Sequence, residues 1–127
     1  MSDPAVLVVD DEIEVCRILE RMLSIDRYQV RTSHSVADAL AILEEKLFDL
    51  YVLDYKLGDR CGLDIAERIR AKGSEAPILL LSGYVPTEIA LRAQELRIFE
   101  IIEKPFSREM IANAVRKAIG PATGALA

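Results

Sequence analysis

Tryptophan is absent from this chain of 127 residues, and it holds two cysteines and a single histidine. Cys16 and Cys61 have no CxxC partner and no cluster of further ligands, so neither a disulfide framework nor a zinc site can be assembled, and reduced thiols are expected. His34 falls between an extended run and a serine suited to capping a helix, which places it in a surface loop. No apolar run approaches the ~18 residues that a membrane-spanning helix needs. The opening Met1-Ser2-Asp3-Pro4 has no basic segment leading into an apolar stretch, so no export signal is expected and the chain reads as cytoplasmic. An excess of basic residues is missing as well: 16 Lys and Arg stand against 21 Asp and Glu, a net charge of −5. That balance argues against a direct nucleic-acid face on this domain.

What is present is a composition with 51% hydrophobic and 29% charged residues. A chain of this length buries about two thirds of its unfolded surface on folding, enough for one domain with a real core. Strand-like runs alternate with helical patterns, which predicts βαβ units around a parallel sheet, doubly wound, with five strands and five helices. The strands are expected at Ala5 to Val9, Tyr28 to Ser33, Leu50 to Leu53, Ile78 to Leu81 and Ile98 to Ile102. Tyr28 to Ser33 alternates apolar and polar residues and reads as a half-exposed edge; the other runs are nearly continuous apolar stretches, as in strands buried on both faces. Helices are expected from about Ile13 to Leu23 and after Ser35, with a buried stripe of Leu40, Leu43 and Leu47. Others carry Leu63, Ala66 and Ile69 up to Gly73; Ile89, Ala90, Ala93 and Leu96 behind a first-turn Pro86; and Ile111, Ala114, Val115, Ala118 and Ile119 behind Ser107. Residues 54–62 read as a polar loop. Residues 1–119 form the domain, and 120–127 read as a tail or the stub of a linker.

Four of these runs end beside residues able to handle a phosphoryl group: Asp10 and Asp11, Asp54, Ser82 and Lys104. If the strands are parallel, their carboxyl ends share one edge, where open α/β sheets bind ligands. One acid at a helix start is explained by the helix dipole. The run Asp10-Asp11-Glu12 exceeds that need and suits a hard cation such as Mg²⁺ (or Mn²⁺), which takes oxygen ligands. Asp54, directly behind Leu-Tyr-Val-Leu, would be a costly buried carboxylate unless paired or bound to metal. Beside the acidic pair it becomes a candidate nucleophile, because carboxylates form acyl phosphates and a divalent cation offsets the charge of an incoming phosphate. Ser82, before Gly83, is placed either for a turn hydrogen bond or for a phosphoryl contact. Lys104, before Pro105, is either a solvated strand end or a partner for carboxylate and phosphoryl oxygens.

Asp10-Asp11 after the first strand, Asp54 after the third, Ser82 after the fourth and Lys104-Pro105-Phe106 after the fifth together resemble the receiver domain of two-component response regulators, over about residues 4 to 119. The resemblance implies a flavodoxin-like sheet of order 2-1-3-4-5. It implies that Asp54 accepts a phosphoryl group from a histidine kinase or phosphotransfer protein, and that Asp10, Asp11, Asp54 and the backbone carbonyl of Lys56 hold Mg²⁺. It further implies that Lys104 pairs with the phosphoryl oxygens, that Ser82 moves to bond one of them, and that the Lys104-Pro105 peptide is cis. Such a domain catalyses only its own phosphorylation and dephosphorylation, and it controls an output domain or effector protein. Phosphate-donating histidines of relay proteins sit on helices, so His34 is not placed for that role. Six positions depart from the family pattern. Ile101 stands where an aromatic switch is common, Gly58 replaces a proline, Arg97-Ile98 replaces Gly-Ala, and Ala114 and Met110 stand where winged-helix regulators place a dimer-forming charged pair. Tyr84 and Lys56 are expected to flank Asp54 and govern water access, and the loop from Ser82 to Pro86 is expected to carry the signal. The alternative is a pseudo-receiver that binds proteins without phosphorylation. A small-molecule phosphohydrolase is disfavoured by Lys56, two residues past the nucleophile where an acid would be needed, and a flavin phosphate would be repelled by Asp10-Asp11-Glu12.

Overall fold

The computed structural model describes residues 3–120. Strands β1 (Ala5–Val9), β2 (Gln29–Ser33), β3 (Leu50–Asp54), β4 (Ile78–Ser82) and β5 (Glu100–Glu103) form one parallel sheet in the order β2-β1-β3-β4-β5. Helices α1 (Ile13–Ile25), α2 (Val36–Glu45), α3 (Gly62–Ala71), α4 (Thr87–Glu95) and α5 (Arg108–Ile119) cover its two faces. Every residue of β3 and β4 is buried, which is why these strands are apolar without alternation. Successive side chains enter opposite layers. Val6, Val8, Leu50, Val52, Leu79 and Leu81 pack with Leu19 and Leu23 of α1 and Ile111 and Val115 of α5. Leu7, Val9, Tyr51, Leu53, Ile78 and Leu80 pack with Leu43 of α2 and Ile65 and Ile69 of α3. At the edge, β2 keeps Gln29 and Arg31 exposed while Val30 is half-buried.

Several boundaries differ from the sequence-based expectation. Helix α1 runs two residues further than Leu23, to Ile25. Tyr28 precedes β2 and is buried as an anchor, its hydroxyl donating to the Gly120 carbonyl at 2.8 Å. Helix α2 stops at Glu45 because Lys46 is extended, so Leu47 lies beyond it and is exposed; the buried stripe is Val36, Ala39, Ile42 and Leu43. Pro86 is the N-cap of α4 and precedes its first turn. Only Ala93 of α4 is fully buried, with Ile89 half-buried and Ala90 exposed, so this helix rests lightly on the sheet. Strand β5 begins at Glu100, two residues past Ile98. The expected loop after Asp54 contains a short antiparallel hairpin, Lys56–Leu57 against Arg60–Cys61. Gly58 turns it at φ +67°, a conformation the family's usual proline at this position cannot adopt. Ser35 and Ser107 cap α2 and α5 as expected, each hydroxyl accepting from a backbone N–H three residues on. The tail at 121–127 lies outside the described residues.

Candidate functional site

The register of the sheet assembles the site. Val9 pairs with Leu53, so Asp10 and Asp54 leave β1 and β3 side by side, and Ser82 pairs with Glu103, so Lys104 follows directly beside Ser82. The Lys104 N–H donates to the Ser82 carbonyl at 2.8 Å, and the Lys104–Pro105 peptide is cis. Together with the turn after β4 and the short hairpin, these strand ends bound a crevice of about 600 Å³. Asp11, Asp54, Lys56, Ser82, Tyr84 and Lys104 line it.

Asp10 is fully buried, Asp54 nearly so, and Asp11 is exposed. Carboxylate oxygens of all three lie within 4.8 Å of one another. Lys104 answers part of this negative charge: its Nζ is 3.1 Å from Asp54 Oδ1 and 3.4 Å from Asp10 Oδ2. Asp10 Oδ1 accepts from the Glu12 N–H at 2.9 Å. Burial pushes the Asp54 carboxyl up to about 6, with the Asp10 charge adding to the shift and Lys104 opposing it. Burial acts to lower the Lys104 pKa, but its bonds and charge attraction to Asp54 and Asp10 win, and the net shift is upward. Asp54 is thus a carboxylate at neutral pH, and one ammonium faces three acidic side chains. This excess of hard oxygen donors fits a divalent cation such as Mg²⁺.

Ser82 is buried, and its hydroxyl serves the turn: it donates to the Tyr84 carbonyl at 2.8 Å and accepts from the Tyr84 N–H at 3.3 Å. The turn bond expected of this residue is made. Tyr84 is exposed and overhangs the crevice. Lys56 is exposed, at the start of the hairpin and on the lining of the crevice. Ile101 is half-buried against the layer that holds Leu80 and Leu53.

Three features of the site escape sequence patterns. Gly62 opens α3 so close to β3 that a Cβ there would collide with the Asp54 carbonyl oxygen. Arg92 of α4 reaches Asp64 at 3.1 Å and Glu67 at 2.8 Å, tying the lightly packed helix to α3. His34 is exposed as expected, yet its Nδ1 lies 3.1 Å from the Asp10 carbonyl and 3.5 Å from the Sγ of buried Cys16. Burial, reinforced by the Asp10 charge, raises the Cys16 thiol to about 11, so it stays protonated.

Comparison with known proteins places this geometry. The chain matches the family model of the response regulator receiver domain over residues 6–116. It is 31% identical over 114 residues to the transcriptional regulatory protein ZraR of Salmonella typhimurium, covering 90% of this chain and 26% of that protein. It is 30% identical over 120 residues to the response regulator protein PilR of Pseudomonas aeruginosa, with 91% and 27% covered. The chain therefore spans about a quarter of the length of these relatives. Among solved structures, it is similar to the non-phosphorylated HemR receiver domain from Leptospira biflexa, at TM-score 0.84 and 32% identity over 91% of this chain and 94% of that one. It is also similar to response regulator protein TrrA from Thermotoga maritima in complex with Mg²⁺ and BeF, at TM-score 0.79 and 29% identity over 93% and 99%.

Proposed function

The chain belongs to the response regulator receiver domain family of two-component systems, and from that membership we propose that it is a switch that takes a phosphoryl group onto Asp54 from the phosphohistidine of a kinase or phosphotransfer protein. The observation that carries this reading is the convergence of three carboxylates and one lysine at the carboxyl edge of the sheet. The same convergence disfavours a binding module that works without phosphorylation, which would have no use for a charge cluster that is costly to bury.

In the transfer, an Asp54 carboxylate oxygen attacks phosphorus, the phosphorus–nitrogen bond of the donor breaks, and the imidazole leaves with the electron pair. Asp10, Asp11 and Asp54, with the backbone carbonyl of Lys56, would hold a divalent cation, which when bound supplies positive charge against the phosphate. Lys104 sits on Asp54 already and shifts its ammonium to the phosphoryl oxygens once the carboxylate is phosphorylated. Ser82 gives up its turn bonds to Tyr84 and donates to a phosphoryl oxygen. That exchange loosens residues 82–86, and α4, with a single fully buried residue, is the helix best able to respond. Ile101 is β-branched and stiff, without a ring to swing, so it stays packed while the loop and α4 carry the change to an output domain or effector protein.

Acetyl phosphate tests the reading. With Mg²⁺ the protein is expected to gain the mass of one phosphoryl group, and with a chelator none. Uptake that ignores Mg²⁺, or no uptake with Mg²⁺ present, contradicts it.

Lys104→Ala is expected to leave some uptake but to weaken its link to conformational change. Moving a population from 1:99 to 99:1 takes about 5.5 kcal/mol, of which a charged hydrogen bond supplies about 1.5–3 kcal/mol. Amide chemical shifts recorded with and without beryllofluoride check this. The expected response of residues 82–95 in the variant falls to about two fifths of the parent's at the upper end of that range; a full response removes Lys104 from the route.

A further inference from the structure

We propose that His34, with Cys16 behind it, is a positioning residue of the cation site: the two side chains hold the peptide that joins Asp10 to Asp11 and so set where both carboxylates stand relative to Asp54. The proposal rests on the reading of these aspartates as a divalent-cation site.

Asp10 lies one residue past the end of β1, and its N–H makes the last bond to β2, donating to the Ser33 carbonyl at 3.1 Å. Beyond Ser33 the neighbouring strand turns away through His34 to the Ser35 cap of α2. The Asp10 carbonyl thus belongs to a fully buried residue at a point where the ladder has ended, and a buried carbonyl needs a donor. Two side chains supply it. His34 Nδ1 lies 3.1 Å from the carbonyl oxygen, and Cys16 Sγ lies 3.4 Å from the same oxygen.

A carbonyl only accepts, so Nδ1 carries the hydrogen in this contact. Nδ1 is then a donor, and the thiol hydrogen goes to the carbonyl's second lone pair, although the two side-chain atoms are 3.5 Å apart. The peptide is planar, so fixing the direction of the Asp10 carbonyl also fixes the Asp11 N–H and the Cα from which the exposed Asp11 carboxylate departs. Asp10 is held at its other end too: Oδ1 accepts from Glu12 and Oδ2 meets Lys104. Among the described residues, only the His34 and Cys16 bonds act on the peptide between the two acids. Without them this peptide is free to rotate before a cation arrives and must be ordered when it binds.

Binding of Mn²⁺ alone to the purified protein, followed by the electron paramagnetic resonance of free Mn²⁺, tests this without any phosphoryl chemistry. His34→Ala is expected to raise the Mn²⁺ Kd about fivefold, the worth of one hydrogen bond. His34→Asn hangs an amide nitrogen on Cγ where the ring carries Nδ1, and is expected to bring the Kd back to within about twofold of the parent. Thermal unfolding in chelator is recorded alongside. Equal Mn²⁺ affinity in His34→Ala and the parent overturns the proposal whatever happens to the melting temperature, since a structural role alone moves only the latter. So does an Asn variant as weak as the Ala variant. A parent that fails to bind Mn²⁺ overturns the cation-site reading itself, and this proposal with it.

Discussion

At pH 7 in chelator, Asp54→Asn is expected to resist urea better than the parent, by about 3 kcal/mol. The sign follows from the direction of the shift. The Asp54 carboxyl stands at about 6 in the folded protein against an ordinary 3.8. The folded state therefore holds this proton more tightly than the unfolded chain does. Asp54 contributes stability that is present in full below about pH 3.8 and is lost as the pH rises through about 6. By pH 7 the ionised carboxylate, buried beside Asp10, has cost the fold about 3 kcal/mol. Asparagine keeps the shape and carries no charge, so it removes that cost. The advantage should shrink with acidity, to about 1.5 kcal/mol at pH 5, where the folded parent already carries most of its proton. Mg²⁺ should stabilise the parent and do little for the variant, since the ion relieves the repulsion that the substitution has removed. Urea midpoints at pH 5 and 7, with chelator and with Mg²⁺, check all of this. A variant less stable than the parent at pH 7 would mean that Lys104 outweighs burial and the Asp10 charge, and the site would not be strained in the way described.

Gly62→Ala should act in the opposite direction, and against the ordinary expectation for its position. Gly62 is the first residue of α3, and alanine in a helix is normally better than glycine by about 1 kcal/mol. Here the added Cβ would collide with the Asp54 carbonyl oxygen and come within 3.2 Å of the Asp54 carbonyl carbon and of Leu53 Cβ. Those atoms belong to the fully buried β3, which cannot yield as a flexible side-chain tip could. The helix start must retreat, straining the bond from the Gly62 N–H to the Tyr55 carbonyl, now 2.8 Å, and dragging the hairpin that carries Lys56. Overpacking of this kind costs about 1–3 kcal/mol. Because the displaced atoms are the backbone of Asp54 itself, phosphoryl uptake from acetyl phosphate should fall at least about tenfold, the consequence of about 1.4 kcal/mol in the barrier. Gly83→Ala is the control. Its Cβ would meet nothing within 4 Å, so stability should stay within about 0.5 kcal/mol of the parent. If Gly62→Ala is as stable and as reactive as the parent, the contact between α3 and Asp54 does not position the nucleophile.

The contrast between these two glycines shows which parts of the molecule a sequence makes legible. Strands buried on both faces announce themselves as unbroken apolar runs, and the run Leu50 to Leu53 placed Asp54 at the sheet edge without ambiguity. Parallel pairing then put the acids, Ser82 and Lys104 together, because a shared edge follows from topology alone. Features that depend on distance across the fold left no periodic trace. Leu47 continues the spacing of Leu40 and Leu43, but Lys46 is extended and ends the helix first. The hairpin at 56–61 has strands of two residues each, too short for any alternation to show. Arg70 carries no sequence signal, yet its guanidinium is held by the backbone carbonyls of Ser74, Ala76, Leu96 and Arg97, fastening α3 to the turn after α4. His34 was legible as a surface residue; its reach to the Asp10 carbonyl, from 24 residues away, depends on where β2 ends. Ser82 is the mixed case. The turn residue and the proposed phosphoryl ligand are the same side chain, and in this structure its hydroxyl is turned to Tyr84.

Borohydride trapping shows directly whether Asp54 itself becomes the acyl phosphate. Reduction of an aspartyl phosphate releases phosphate and converts the side chain to that of homoserine. After acetyl phosphate and Mg²⁺, peptide mass spectrometry is expected to find homoserine at position 54, with none when the Mg²⁺ is chelated. Homoserine at Asp10 or Asp11 with Asp54 intact, or a stable phosphoryl group on His34 in place of any reducible acid, would contradict the account.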